Sequence, residues 1–177
     1  MDSSVLRQLT TDRLMLRAHR VEDFEDCVAL WSDPVVNRHL GSRAASREET
    51  WSRLLRYLGL WPALGYGYWV IADRSSGRFL GEVGLADFRR DIEPPLTGPE
   101  AGWAILPNAS GRGIATEALA AVLDWADKHL HHAHTQCIIT EQNLASIRVA
   151  TKLGYQLAAD AQYRGAPITL YQRPRGS

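Results

Sequence analysis

The chain has 177 residues and a mass of 19.7 kDa, which is enough for one domain that buries its own hydrophobic core. Its 20 Lys and Arg residues balance its 20 Asp and Glu residues, and 45% of all residues are hydrophobic. The balanced charge disfavours a nucleic-acid-binding protein, which needs a basic excess to neutralise phosphates, and the hydrophobic content disfavours a disordered chain. We therefore expect one folded domain over residues 1–177.

Strand and helix signals alternate along the first half of the chain. Period-two alternation of apolar residues predicts strands, and apolar residues three or four positions apart predict helices. Ser46 and Glu49 form a capping-box pattern, which marks a helix start before an apolar face that runs from residue 51 to residue 58. The other predicted elements are, in order, a strand over residues 13–17, a helix over 21–31, and strands over 68–72 and 78–85 joined by a turn.

The second half continues this alternation. Its predicted elements are a proline-rich loop over residues 89–99, a strand over 100–106, a polar turn over 107–113, a helix over 114–130, a strand over 136–140, a helix over 144–153, and a terminal strand pair over 155–163 and 168–172 with its hinge at 164–167. This order predicts one mixed α/β domain with a mostly antiparallel sheet and a βαβ-like unit near its end.

The sequence contains no clear membrane or export signal. Residues 54–72 are the most apolar stretch, but a charged residue, a proline and three glycines interrupt it, which favours a helix end, a turn and a strand start. Residues 1–13 lack the apolar region of a secretory signal. Cys27 and Cys137 lie far apart without a CxxC spacing, so we expect two buried thiols in a reducing compartment. We therefore expect a cytoplasmic protein that binds neither membranes nor nucleic acids.

Residues 110–116 join a predicted strand to a long helix and contain two glycines, Gly111 and Gly113. Because these positions lack side chains, backbone N–H groups can converge on an anion there, and the helix N-terminus adds partial positive charge. A phosphate or pyrophosphate would suit such a turn, although a simple glycine-rich turn is the alternative. The segment lacks the GxxxxGK[ST] pattern of a Walker loop, and Thr116 stands where a dinucleotide-binding fingerprint has its third glycine.

The same segment resembles a motif of the GCN5-related N-acetyltransferase (GNAT) superfamily. Residues 105–107, ILP, followed by residues 110–118, resemble the acetyl-CoA pyrophosphate loop of that family, [QR]xxGx[GA]. Gly113 and Ala115 match its last two positions, and Ser110 replaces the usual Gln or Arg.

Two further segments strengthen this resemblance. Residues 143–155, NLASIRVATKLGY, resemble the second motif of the family. Residues 9–17, LTTDRLMLR, and 33–36, DPVV, resemble the ribosomal-protein alanine acetyltransferase (RimJ/RimL-like) branch. The resemblance covers about residues 9–172. It implies the GNAT fold, a mixed and mostly antiparallel twisted sheet with a central splay and flanking helices.

The resemblance also implies a cofactor site. Acetyl-CoA would be the co-substrate, with its pyrophosphate on the loop amides and its pantetheine arm paired with the preceding strand; no metal is expected. Asn143 would hydrogen-bond that arm, although it is alternatively the N-cap of its helix. The residues implied in cofactor binding are Ile105, Leu106, Ser110, Gly111, Arg112, Gly113, Ile114, Ala115, Thr116 and Asn143.

Acetyl transfer to an amine requires that the acceptor ammonium lose a proton and that the departing thiolate be stabilised. Many family members place a tyrosine acid four residues before the glycine of the second motif, where this sequence has Ala150. We therefore expect Ser146 to hydrogen-bond the thiolate or relay a proton, with a helix-capping serine as the alternative. Glu100, which begins the strand that leads into the loop, is the first candidate base, acting through a water, and Glu82 is the second.

The expected acceptor is a primary amine, with a protein or peptide N-terminal α-amine as the first hypothesis. The alternatives are a small amine, such as an aminoglycoside or a polyamine, and a non-catalytic acyl-CoA-binding module. The two cysteines lack the combined His and acid context of a cysteine nucleophile, which favours direct attack in a ternary complex. We expect a monomer or a homodimer. Four histidines near a helix end favour a charge effect at that end over a metal site: His129, His131, His132 and His134.

Overall fold

The strands within the described residues, 8–39 and 43–176, form one nine-stranded mixed sheet in the computed structural model of the chain. They are β1 (Leu9–Thr10), β2 (Leu14–Ala18), β3 (Tyr68–Asp73), β4 (Phe79–Ala86), β5 (Ile92–Glu93), β6 (Glu100–Ile105), β7 (His134–Ile139), β8 (Gln156–Tyr163) and β9 (Ala166–Pro174). Their order across the sheet is β1-β2-β3-β4-β6-β7-β9-β8-β5. Neighbouring strands pair antiparallel, except that β6 and β7 are parallel.

Helices cover both faces of the sheet. They are α1 (Phe24–Trp31), α2 (Pro34–Asn37), α3 (Arg47–Leu64), α4 (Ile114–His129) and α5 (Leu144–Lys152), with 3-10 turns at Val21–Asp23 and Pro107–Ala109. The buried face of α4 packs on one side of the sheet against alternate residues such as Trp69 and Val83. On the other side, α1 and α3 pack against Val70 through Leu30 and Leu54. None of the helices in the described ranges is long and apolar enough to cross a membrane.

The sheet opens at its centre, between β6 and β7. These strands pair through Glu100 and Gln136, and the Gln136 N–H donates to Pro99 O at 2.9 Å. Beyond that point β6 stays paired with β4 as far as Ile105, whereas β7 pairs with β9 as far as Ile139. The two strands therefore diverge towards their carboxyl ends, and the expected central splay is confirmed.

Most predicted elements are found within a few residues of their expected positions. The capping box at Ser46 is confirmed: its hydroxyl accepts from the Glu49 N–H at 3.2 Å, and the Glu49 carboxylate accepts from the Ser46 N–H at 2.7 Å. The helix continues past the apolar face that ends at residue 58, runs as far as Leu64 and includes Pro62. Pro62 lies in the last turn, where the loss of one N–H donor affects only the end of the helix.

Three local features differ from the predictions. Residues 89–99 are not entirely a loop, because Ile92 pairs with Tyr163 and forms the short edge strand β5. Residues 34–37, for which no element was predicted, form the single turn α2; Pro34 starts this turn, and the Asp33 side chain caps its N–H groups. The terminal hairpin turns at Arg164 and Gly165, both with positive φ, so β9 already begins at Ala166.

Tyr68 covers two glycines at the closed end of the splay. Its ring stacks on that of Tyr57, with centroids 4.3 Å apart, and lies over Gly84 of β4 and Gly102 of β6. A Cβ atom at Gly102 would collide with the Tyr68 hydroxyl oxygen. Burial raises the pKa of Tyr68 well above its ordinary value, so the hydroxyl keeps its proton beside β6. The position of this hydroxyl therefore leaves no space for a side chain at residue 102.

We expect Gly102→Ala to lower the free energy of unfolding by about 1–3 kcal/mol, because the added methyl group must displace the Tyr68 ring. Urea unfolding followed by circular dichroism measures the change. Gly59→Ala is the matched control, since a Cβ there meets no atom within 4 Å and α3 should gain about 0.5–1 kcal/mol. Adding Tyr68→Phe to Gly102→Ala should restore part of the loss. Unchanged stability in Gly102→Ala would contradict the position of the hydroxyl.

Candidate functional site

The segment after β6 forms a turn of backbone amides at the open end of the splay. Gly111 and Gly113 adopt positive φ angles of 74° and 77°, and α4 starts directly after Gly113. No side chain caps this helix start, and its first intrahelical bond runs from the Glu117 N–H to Gly113 O at 3.0 Å. The N–H groups of residues 114–116 therefore lack partners within the helix, as is usual for a first turn. Such a turn can hold an anion.

The space in front of this turn is open. Among the described atoms, a Cβ at Gly111 would meet nothing within 4 Å, and one at Gly113 would meet only the Arg13 guanidinium, at 3.5 Å. Ser110 and Arg112 are exposed, whereas Ile114 is buried in the core beneath the turn. The open space and the amide turn are suited to a pyrophosphate, which the backbone amides and the partial positive charge of the helix end would hold.

Contacts between the β1–β2 connection and α4 fix this turn. We define Thr11, Arg13 and Glu117 as the clamp. The Arg13 guanidinium donates to the Glu117 carboxylate at 2.7 Å and to the backbone O of Arg112 at 3.0 Å, and the Thr11 hydroxyl donates to Glu117 at 2.5 Å. Partial burial alone would raise the pKa of Glu117, but the hydrogen bonds from Thr11 and Arg13 outweigh it and lower the pKa. Glu117 is therefore a carboxylate at neutral pH, and the clamp weakens only in acid.

The free edge of β6 runs from the turn towards the closed end of the splay. The Leu106 N–H donates to Leu80 O at 2.9 Å, so the backbone N–H and C=O groups of the even-numbered residues in β6 point towards β4. The backbone groups of Ala101, Trp103 and Ile105 consequently face the opening between β6 and β7. The Leu106 carbonyl accepts from the Ala109 N–H at 2.9 Å, so both backbone groups of Leu106 are already engaged. Ile105 can thus pair with an added extended ligand, and Trp103, which the sequence analysis missed, can do so too.

Asn143 and Ser146 lie at the open end of the splay, on the first turn of α5. Asn143 is the N-cap, as one of the two hypotheses expected, because its Oδ1 accepts from the Ser146 N–H at 3.1 Å. This leaves the Asn143 NH₂ group without a hydrogen-bond partner among the described residues. The half-buried Ser146 hydroxyl has no partner there either. Both groups can donate to a ligand in the opening.

Glu100 lies at the closed end of the splay, five residues before Ile105, or about 17 Å along an extended strand. It is 4% exposed and pairs with Arg90 through two hydrogen bonds, of 2.6 and 2.9 Å. Arg90 also donates to the Tyr163 hydroxyl at 2.9 Å. Burial alone would lower the pKa of Arg90, but its bonds to Glu100 raise it, so the Arg90 guanidinium is charged. No hydrogen bond joins Glu100 to Ser146.

Glu82 is enclosed on the α1 and α3 face of the sheet. Its oxygens accept from Trp31 Nε1 at 2.9 Å and from the Cys27 thiol at 3.3 Å, and His19 Nε2 lies 3.1 Å away. One ligand atom each of His19, Cys27 and Glu82 lies within 4.8 Å of the others, which is close enough to hold a metal ion. However, burial first, and then the charge of Glu82, raises the pKa of Cys27, whereas metals bind thiolates. We interpret the group as a hydrogen-bonded cluster.

The histidines near the end of α4 make separate contacts. His129 Nδ1 lies 2.8 Å from Trp125 O with its ring stacked on the Trp125 indole, and His134 Nε2 lies 3.0 Å from the Thr97 hydroxyl. Cys137, like Cys27, is a buried free thiol, as the sequence predicts.

A strand with a free edge leads into a turn of backbone amides. Together they define a site for an extended ligand with an anionic group at one end. Comparison with known proteins identifies the class of ligand. Residues 13–156 match the family model described as an acetyltransferase (GNAT) domain. The chain therefore belongs to the GNAT family of N-acetyltransferases, which transfer an acetyl group from acetyl-CoA to an amine.

Two relatives match nearly the whole chain. The uncharacterized protein YkkB of Bacillus subtilis is 30% identical over 172 residues, covering 94% of this chain and 95% of YkkB. A putative GnaT-family acetyltransferase from Bordetella pertussis has 32% identity and a TM-score of 0.83, covering 94% of this chain and 98% of its own.

Two more distant structures share the fold but differ in their named acceptors. A ribosomal-protein-S5-alanine acetyltransferase from Vibrio fischeri has 20% identity and a TM-score of 0.70, covering 95% of this chain and 96% of its own. A spermidine N-acetyltransferase from Vibrio cholerae, in complex with CoA and spermine, has 15% identity and a TM-score of 0.74, covering 93% and 97%. At these identities the likeness shows the fold alone, so the fold does not decide the acceptor.

We expect Gly113→Val to weaken acetyl-CoA binding at least tenfold, about 1.4 kcal/mol, measured by calorimetry. A β-branched residue does not readily adopt the positive φ of Gly113, and its side chain would block the approach of a phosphate. Gly65→Val is the matched control, because Gly65 has a φ of 78° and open space around its Cβ but ends α3. Arg112→Ala should weaken binding less, since its exposed charge is screened by salt. Parent-like binding by Gly113→Val would exclude this turn as the pyrophosphate site.

Proposed function

We propose that this enzyme acetylates the N-terminal α-amine of a protein or peptide. The main support is the geometry at the closed end of the splay, where a cavity of about 270 Å³ is lined by Phe88, Leu96 and Arg90, the residue that pairs with Glu100. Ligand pockets that enclose a whole drug-sized molecule are usually larger, about 300–1,000 Å³. A cavity of this size suits the first residues of a chain whose remainder stays outside. The sequence resemblance of residues 9–17 to the RimJ/RimL-like branch supports the same acceptor.

In this proposal, the chain holds its co-substrate from end to end. The amides of residues 111–116 bind the pyrophosphate, and the backbone groups of Trp103 and Ile105 pair with the pantetheine arm. The Asn143 amide donates a further hydrogen bond to that arm. Acetyl-CoA supplies the activated acetyl group between Ser146 on the open side of the splay and Glu100 at its closed end. Ser146 provides a hydrogen-bond donor for the departing thiolate, in place of the tyrosine that Ala150 replaces.

Proton removal from the acceptor ammonium is assigned to Glu100. Its carboxylate begins β6 and receives the proton through a water, while Arg90 fixes its orientation. Glu82 is less suited to this role, because three protein groups surround its oxygens and its side chain is 1% exposed. The acceptor attacks acetyl-CoA directly. Neither cysteine is suited to form a covalent acetyl-enzyme, because burial raises the pKa of both thiols and keeps them protonated.

An acceptor panel tests this function. We expect CoA release with peptides that have a free N-terminal amine, and at least a tenfold lower kcat/KM with spermidine, with an aminoglycoside, and with N-acetylated peptides that contain lysine. The Gly113→Val enzyme serves as the control for cofactor-dependent turnover. Preference for spermidine or the aminoglycoside would support a small-amine acetyltransferase instead. Calorimetric binding of acetyl-CoA without turnover of any acceptor would support a non-catalytic module.

Glu100→Gln tests the candidate base. We expect kcat to fall about 100-fold while acetyl-CoA binding is retained, because general-base catalysis is lost but the amide turn is intact. Asp127→Asn is the matched control, since Asp127 is also a mostly buried carboxylate paired with an arginine, Arg173, at 2.6 Å. It should lower stability without a comparable loss of kcat. If Glu82→Gln loses kcat and Glu100→Gln does not, Glu82 is the base.

A further inference from the structure

Three arginines gather on the α3 side of the sheet at the closed end of the splay; we define Arg53, Arg56 and Arg90 as the arginine cluster. The guanidinium carbons of Arg56 and Arg90 lie 5.2 and 4.9 Å from the centroid of the Phe88 ring. Phe88 contacts Tyr68, with centroids 6.1 Å apart, and Tyr68 stacks on Tyr57. A chain of aromatic rings thus connects the cluster to the residue that covers Gly102 of β6.

Arg53 continues the same surface. It donates to the Tyr57 hydroxyl at 3.3 Å, and its guanidinium carbon lies 3.8 Å from the centroid of a Trp31 ring. Its Nε atom is buried and has no hydrogen-bond partner among the described residues. A buried donor of a charged group is costly when it lacks a partner, so the described residues leave the Arg53 guanidinium incompletely satisfied.

The positive charge of the cluster is only partly compensated. Among the described residues, no carboxylate lies within 4 Å of Arg53 or Arg56, and Glu100 pairs with Arg90 alone. The nearby acidic groups contact other residues: Glu82 accepts a hydrogen bond from Trp31 Nε1, and Asp87 pairs with Arg89 at 2.9 Å. Burial, and then the cations of Arg53 and Arg90, lowers the pKa of Arg56, which agrees with this excess of positive charge.

We infer that the acceptor carries an acidic group, a carboxylate or a phosphate, next to its reactive amine, and that Arg53 and Arg56 bind this group. The inference rests on acetyl transfer at the closed end of the splay and narrows the proposed peptide acceptor to one with an acidic residue close behind its N-terminus. A polycationic acceptor is disfavoured, because it would meet the like charges of Arg53 and Arg56, which have no carboxylate partner among the described residues.

Three peptides that differ only at their second residue test the inference. Glutamate, glutamine and lysine give this position a negative, a neutral and a positive side chain, while the N-terminal amine stays the same. We expect the glutamate peptide to exceed the lysine peptide at least tenfold in kcat/KM, with glutamine between them. Calorimetric binding of the same peptides to the CoA-loaded protein should follow the same order, and it does not depend on turnover. The preference should shrink as salt is raised.

Arg56→Glu tests the role of the cluster directly. Arg56 is exposed, so this variant should fold, and we expect it to abolish or reverse the preference for the glutamate peptide. Arg78→Glu is the matched control, because Arg78 is exposed at the opposite end of β4 and should keep the parent preference. At the half-buried Arg53, Arg53→Lys should retain more of the preference than Arg53→Met, with folding checked by thermal unfolding.

The outcomes separate this inference from the proposed function. Equal kcat/KM and equal binding of the three peptides would overturn the acidic acceptor while leaving peptide N-termini as substrates. An unchanged preference in Arg56→Glu would exclude Arg56 as its source. Acetylation of a small acidic amine, such as free glutamate, in preference to every peptide would support the acidic acceptor and overturn the peptide part of the proposed function.

Discussion

The contact between β6 and β7 at Glu100 and Gln136 determines how the rest of the site is arranged. A parallel pair held at one end must diverge at the other when its strands remain paired to β4 and β9. This divergence frees the edge of β6 for a ligand, and it puts the amide turn and the start of α5 at the open end. It also puts Glu100, Tyr68 and the arginine cluster at the closed end. In the proposed function, the cofactor and the acceptor therefore approach the reaction centre from opposite ends of one strand.

The parts of the site that depend on local sequence could be predicted from it. Gly111 and Gly113 with the helix behind them predict the amide turn, and Asn143 before α5 predicts an N-cap, because these features depend on a few neighbouring residues. The fold class followed from the alternation of strands and helices and from the family motifs. Element ends were less accurate where pairing with a distant strand decides them, as at β5, whose partner Tyr163 lies about 70 residues away.

The contacts that distinguish one buried carboxylate from another could not be predicted. Glu82 and Glu100 each lie on a strand next to small residues, and in the sequence only the position of Glu100 on the strand that leads into the amide turn distinguishes them. In the structure, His19, Cys27 and Trp31 converge on Glu82 from up to 63 positions away, whereas Glu100 pairs with Arg90, which also donates to Tyr163 and lines a cavity. The sequence likewise gives no sign that Arg53 and Arg56 lack carboxylate partners, since the chain as a whole has balanced charge. Such differences arise only when distant segments pack together.

The clamp of Thr11, Arg13 and Glu117 links residues more than 100 positions apart, and this has a thermodynamic consequence. Because the clamp fixes the backbone of Arg112, a ligand on the amide turn favours the arrangement in which β1 and β2 are docked. Linkage is reciprocal, so docking of these edge strands must favour the ligand by the same free energy. The segment of residues 9–16 is thereby coupled to occupancy of the amide turn. This coupling would be measured as slower amide hydrogen exchange at residues 9–16 when the ligand is bound.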